Sequence, residues 1–245
     1  MCGERLVSPW VTADRGGEAR CGSCRRMEPP FAKAAAYGSY EGGLRELIHL
    51  LKYQQVRPAA GVLGRMLSEV IRGLAAQFGP VGASQEDKIK CGGQGGPPCS
   101  KEPVVVVPVP LHPRKLKQRG FNQAELMAQE AVRLAPELKL EVAGGVMIRS
   151  RETASQIGLT RRQRRENMRG AFEVVRPEAI AGRTVLLVDD VFTTGTTVSE
   201  CARVLRRAGA AKVYVATVAR TLKLETAGVA REEAAESALA MAAAR

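Results

Sequence analysis

Residues 185–197 combine side chains and backbone groups that suit a sugar phosphate. Four apolar residues, Val185–Val188, predict a strand buried on both faces, and Asp189 and Asp190 follow at its carboxyl end. A Thr-rich loop then leads into a helical pattern. The loop consists of Thr193, Thr194, Gly195, Thr196 and Thr197. Backbone N–H groups at the start of a helix attract phosphate, and carboxylates accept hydrogen bonds from the vicinal hydroxyls of a sugar.

This stretch resembles the signature of the type I phosphoribosyltransferases, in which apolar residues, two acids and a Thr-rich turn follow in the same order. The resemblance implies that the loop binds the 5-phosphate of phosphoribosyl pyrophosphate (PRPP). It also implies that Asp189 and Asp190 hold the ribose as the catalytic pair, with Mg²⁺ bound alongside PRPP. From the residues alone, the alternative is an ordinary strand followed by a capped helix. The paired acids and the Thr-Gly-Thr-Thr order favour the first interpretation.

Positive charge is concentrated in two short segments. The chain has 37 Lys and Arg against 25 Asp and Glu, and nine of the twelve net charges fall within 114–119 and 149–169. A focused basic field indicates a polyanionic ligand, such as a pyrophosphate or a nucleic acid. Charge that serves only solubility is normally interspersed with charge of the opposite sign.

The resemblance assigns a role to each basic segment. The first is expected to be a loop that stabilises the leaving pyrophosphate through Arg114, Lys117 and Arg119. A solvated loop is the alternative. The second is expected to form a flap over the site or to contact nucleic acid. Its candidate residues are Arg151, Arg161, Arg162, Arg164 and Arg165.

Three cysteines near the start of the chain have the spacing of metal ligands. Cys21 and Cys24 are separated by two residues, which lets both thiolates reach one Zn²⁺ ion. Cys2 resembles the second half of an upstream pair whose first Cys is absent. A start upstream of Met1 or a degenerate site would each explain this. The alternative is that these are reduced surface thiols.

The sequence predicts an α/β protein with a parallel sheet of the type I phosphoribosyltransferase fold, preceded by a small zinc-ribbon-like module. We divide the chain into a zinc-ribbon-like module at 1–36, a helical segment at 37–79, a flexible insertion at 80–103, a phosphoribosyltransferase-like domain at 104–220 and a tail at 221–245. The chain has no apolar run of about 18 residues and no apolar signal core, so we expect no membrane span and a cytoplasmic location.

Several further motifs together resemble one subgroup, the ComF (competence protein F) family. The most specific is 119–124, Arg-Gly-Phe-Asn-Gln-Ala, and Tyr40-Glu41-Gly42, Lys52-Tyr53 and 108–111 add to it. The match covers residues 2 to about 220. It implies a role in DNA uptake during natural transformation, with single-stranded DNA and a DNA-translocating helicase as partners.

Three functions are compatible with these residues. The first is a PRPP-binding protein of the competence type that also contacts single-stranded DNA. The second is a metabolic phosphoribosyltransferase that transfers to a base or an amine, and the third is a PRPP sensor without chemistry. The sequence has no recognisable base-reading hood, no amide-hydrolysing domain behind Cys2 and no DNA-reading helix pair. These absences favour the first function and leave open whether PRPP is turned over.

Overall fold

A computed structural model describes residue 2 and residues 21–78, 103–151 and 161–221. For residues 22, 23, 161, 162, 164 and 165 it describes the backbone only. The expected insertion therefore lies outside the described residues except for Pro103, and so does the expected tail except for Thr221. No helix in the described parts of the chain has the length and apolarity needed to cross a bilayer.

Seven helices and seven strands lie within the described residues. The strands are β1 (Lys33–Ser39), β2 (Val104–Pro108), β3 (Leu140–Val142), β4 (Met147–Arg149), β5 (Phe172–Val174), β6 (Thr184–Phe192) and β7 (Lys212–Arg220). The helices are α1 (Gly22–Arg26), α2 (Gly42–Tyr53), α3 (Ala59–Ala75), α4 (Pro113–Arg119), α5 (Gln123–Leu134), α6 (Arg161–Met168) and α7 (Thr196–Arg207). Two short 3₁₀ turns cover Pro136–Leu138 and Pro177–Ala179.

The core of the fold is a five-stranded sheet in the order β1-β7-β6-β2-β3, with every neighbouring pair parallel. The central strands β2 and β6 carry unbroken buried runs at 104–107 and 185–188, as expected for strands covered on both faces. Helices α2, α3 and α5 share one core with one face of the sheet, and α7 packs on the other face. The separate antiparallel pair β4–β5 also joins this second core. The predicted parallel α/β fold is confirmed.

The edge strand β1 was not predicted. We assigned residues 33–36 to the zinc-ribbon-like module, whereas Lys33–Ser39 pairs in parallel with β7, with Ala35 opposite Ala216. The segment reads Lys-Ala-Ala-Ala-Tyr-Gly-Ser, and alanine and glycine are depleted in strands. Its strand conformation follows from the partner that β7 offers and not from local preference.

The expected basic loop at 114–119 is the helix α4. Pro113 occupies the first turn, the Nδ1 atom of His112 accepts a hydrogen bond from the N–H of Arg114 at 3.4 Å, and Gly120 ends the helix in the left-handed region at φ 78°. Proline at the start and glycine just beyond the end are the usual boundary signals of a helix. The prediction was wrong because it gave more weight to the charges than to these signals.

Candidate functional site

Asp189 and Asp190 project from opposite faces of β6. Successive side chains alternate along a strand, so Asp189 follows Leu187 toward α7, and Asp190 follows Val188 toward the core of α2, α3 and α5. The backbone N–H of Asp190 donates to Oδ1 of Asp189 at 2.9 Å. The two carboxylates that we expected to hold one ribose therefore have different surroundings.

Asp190 is held by a buried ion pair. Its Oδ2 lies 2.8 Å from Nζ of Lys52 on α2, and the two side chains are only 7% and 17% exposed. Nε2 of Gln123 on α5 donates to the same oxygen at 2.9 Å. Burial alone would lower the pKa of Lys52, but the charge and hydrogen bond of Asp190 outweigh burial and raise it. The contacts of Asp190 with Lys52 and Gln123 tie β6, α2 and α5 together.

This network extends to the predicted pyrophosphate segment. Nη1 of Arg119, the last residue of α4, donates to Oε1 of Gln123 at 2.5 Å. The side chain of Asn122 caps α5 by accepting from the N–H of Ala124, and it donates to the carbonyl of Val109. Several polar residues of the 119–124 motif thus fix the junction between α4 and α5. Arg114 and Lys117 lie on the exposed surface of α4.

Asp189 is the acid whose charge depends on pH in the neutral range. Burial, followed by the negative charge of Asp190, raises its pKa to about 7, although Lys52 and Arg149 act in the opposite direction. Asp190 is paired with Lys52, whereas the hydrogen bond described for Asp189 comes from the backbone N–H of Asp190.

The Thr-rich loop forms a tight turn at the start of α7. Gly195 caps the helix in the left-handed region at φ 74°, and a Cβ atom there would lie 2.6 Å from the ring of Phe192. Only glycine fits this turn. The hydroxyls of Thr194 and Thr196 lie 2.9 Å apart. Within the described residues, the N–H groups of 193–196 donate to no carbonyl, and those of 195 and 196 belong to the helix start, where N–H groups lack partners within the helix.

A cavity of about 760 Å³ opens beside this loop. Its lining includes 193–196, residues 199, 200 and 203 of α7, and the segment 26–31 with Cys2 and Cys24. Glu166 and Arg169 also line it. The structure therefore brings the predicted phosphate loop to a cavity that the predicted metal module helps to enclose. Asp189 and Asp190 are not part of its lining.

The three predicted metal ligands lie together. The Sγ atoms of Cys2, Cys21 and Cys24 all fall within 4.8 Å of one another, and those of Cys2 and Cys21 are 3.4 Å apart. Ligand sulfurs about 2.3 Å from a tetrahedral Zn²⁺ ion require similar separations. Burial raises the pKa of Cys24 to about 12, so without a cation this thiol is protonated. Cys2 is also tied to the sheet, because Nη1 of Arg220 donates to its carbonyl at 3.0 Å.

The Arg-rich segment is described only in part. The side chains of Arg161, Arg162, Arg164 and Arg165 lie outside the described residues. Nη2 of Arg151 donates to the carbonyls of Asn167 at 2.8 Å and Arg169 at 2.7 Å. Arg151 thus holds the carboxyl end of α6, a structural role that the sequence did not predict.

Sequence reasoning also missed Lys52 and Gln123 as members of the site. The only signal was their presence in two motifs of the family resemblance, which do not indicate which residue each side chain contacts. Both residues come from helices, and their convergence on Asp190 depends on how those helices pack against β6.

Related proteins match most of the chain. A family model described as the phosphoribosyl transferase domain matches residues 124–234. DNA utilization protein YhgH of Escherichia coli K12 is 34% identical over 203 residues, which cover 82% of this chain and 78% of that protein. YhgH of Salmonella typhi has the same identity and coverage. Competence protein F of Haemophilus influenzae is 31% identical over 201 residues, again covering 82% and 78%.

Replacing Lys52 with Met should lower the free energy of unfolding by about 3 kcal/mol, because it leaves a buried carboxylate without its countercharge. Urea denaturation measures this loss. Arg133→Met, at an exposed ion pair with Glu130, is the matched control and should leave stability nearly unchanged. Adding Asp190→Leu to Lys52→Met should recover much of the loss. If Lys52→Met and Arg133→Met were equally stable, the ion pair would not anchor α2.

The raised pKa of Asp189 predicts a pH-dependent stability. The folded protein binds this proton more tightly than the unfolded chain, whose carboxyl titrates near its usual 3.8, so Asp189 lowers stability as pH rises from about 4 to about 7. Asp189→Asn should remove this contribution and raise the melting temperature most above pH 7. Melting curves across this range provide the measurement. Parallel pH profiles for the two proteins would contradict the raised pKa.

Proposed function

The chain belongs to the ComF (competence protein F) family, and we propose that it binds PRPP and single-stranded DNA in the handling of DNA. The family resemblance found in the sequence is confirmed, as is the phosphoribosyl transferase domain. One observation carries the PRPP proposal above all. It is the Thr-rich loop, whose residues 193–196 line a cavity at the start of α7 and whose N–H groups there donate to no carbonyl among the described residues.

The parts of PRPP would bind different groups of the site. The 5-phosphate would bind the N–H groups and hydroxyls of 193–197, and Asp189 would accept from a ribose hydroxyl. Asp190 would affect the ligand only indirectly, because Lys52 and Gln123 already bind its carboxylate. Arg119, with Arg114 and Lys117 nearby on α4, would face the pyrophosphate, which Mg²⁺ would bridge. Turnover at this site would join an acceptor nitrogen to C1 and release pyrophosphate.

The DNA proposal rests on the names of related proteins and on the basic residues of this chain. Relatives are called a DNA utilization protein and a competence protein. Basic residues on α4 and in the segment 161–165 would meet phosphates, and such contacts depend steeply on salt. This role would place the protein in the cytoplasm beside a DNA-translocating helicase. A PRPP-dependent transferase of metabolism remains the alternative that a turnover assay with bases and amines would detect.

We also propose that Cys2, Cys21 and Cys24 bind a structural Zn²⁺ ion. The thiols converge at suitable separations, and a bound cation would hold them as thiolates. The ion would fix the wall of the cavity that carries Cys2 and Cys24.

Replacing Gly195 with Ala should abolish the stabilisation that PRPP confers on melting. The added Cβ atom would meet Phe192 at 2.6 Å and force the loop out of its left-handed turn. Gly73→Ala, on α3 with open space around it, is the control and should retain the full PRPP effect. An unchanged PRPP shift in Gly195→Ala would refute this phosphate site.

Cys24→Ser should lower the zinc content of the purified protein, measured by atomic spectroscopy, to well below one equivalent. Cys201→Ala is the control because Cys201 is buried on α7 and belongs to no metal-ligating cluster within the described residues. If the protein contains no zinc, or if Cys24→Ser retains a full equivalent, the metal proposal is wrong.

A further inference from the structure

Tyr53, the last residue of α2, presents an aromatic ring to solvent beside the acid network. Its side chain is 69% exposed, whereas the preceding Lys52 is buried against Asp190. The guanidinium of Arg119 lies over the Tyr53 ring, 5.9 Å from its centroid, and the centroids of the His49 and Tyr53 rings are 5.1 Å apart in an edge-to-face arrangement. An exposed aromatic ring with a cation over it presents a surface on which a planar ligand can stack.

The ring and the guanidinium are held in place by the residues beneath them. Lys52 anchors the end of α2 through its ion pair, and Arg119 is fixed by its hydrogen bond to Gln123. Nε2 of His49 lies 2.9 Å from the hydroxyl of Tyr40. Stacking of a ligand on Tyr53 would therefore cost the protein little side-chain entropy.

The surroundings combine apolar and positive character. Val56 and Leu116 are 38% and 42% exposed, and Arg57 stacks over the Phe121 ring at 5.3 Å. The exposed face of α4 adds Lys117. A nucleotide suits this combination of aromatic, apolar and basic side chains. Its base would cover the aromatic surface, and its phosphates would bind the cations. A purely apolar protein segment would leave these cations without partners.

We propose that Tyr53 and Arg119 form a stacking platform for an unpaired nucleobase. The platform deepens the proposed DNA function, on which it rests, by placing one base beside the network that carries Asp190. It assigns a role to the Lys52-Tyr53 motif in which Lys52 fixes the helix and Tyr53 contacts the base. The base could belong to a single strand or to a free nucleotide, since both offer the same ring.

Fluorescence anisotropy with two oligonucleotides tests the platform. One is a short single strand with bases, and the other has the same length and charge but is abasic. Tyr53→Ala should weaken binding of the base-bearing strand by about tenfold and leave the abasic strand unchanged, because stacking requires the ring. Tyr53→Phe should bind like the wild type. Tyr37→Ala, which removes an exposed tyrosine on β1, is the matched control and should also bind like the wild type.

Competition with a nucleoside monophosphate distinguishes the two sources of the base. If the platform serves a strand, the monophosphate should displace the oligonucleotide only weakly. If no strand binds but the wild type binds the monophosphate and Tyr53→Ala does not, the platform stands and the DNA proposal fails. Equal binding of both strands by the wild type, or equal weakening of both by Tyr53→Ala, would overturn the platform while leaving DNA binding intact. Far-UV circular dichroism confirms that each variant is folded.

Discussion

The ion pair between Lys52 and Asp190 is the contact on which the arrangement of this site depends. A carboxylate at the tip of a buried strand is costly unless a cation and hydrogen bonds compensate it. Lys52 and Gln123 supply both, from two different helices. Helix α2 is therefore anchored to the strand that leads into the Thr-rich loop. Arg119 joins the same network by donating to Gln123. This contact fixes the position of the basic helix α4 relative to Asp190.

The two adjacent acids have different surroundings because they lie on opposite faces of β6. Asp190 faces the core of α2, α3 and α5 and forms an ion pair with Lys52 there, whereas Asp189 faces α7 with a pKa raised to about 7. This difference is set by the alternation of side chains in β6, which continues to Phe192. When a strand continues through two consecutive acids, their carboxylates therefore lie in different environments.

Elements with strong local signals were predictable from the sequence. The valine-rich runs of β2 and β6 and the apolar stripes of α2 and α3 correspond to buried surfaces. The Thr-rich loop also connects β6 to the start of α7, as its glycine and hydroxyl residues indicated. Features set by tertiary contacts were not predictable. Strand β1 depends on pairing with β7, and the position of Lys52 depends on helix packing. Helix α4 had readable boundary signals in Pro113 and Gly120 that its charges obscured.

The order of strands in the sheet has a consequence for how the chain assembles. Strand β1 is an edge strand whose neighbour is β7, and the hydroxyl of Thr217 bonds the carbonyl of Ala35 across a separation of 182 residues. During synthesis from the N-terminus, the first strand of the sheet has no partner until almost all of the domain has left the ribosome. Closing so long a loop is slow. Strand β1 therefore stays unpaired while the centre of the sheet forms.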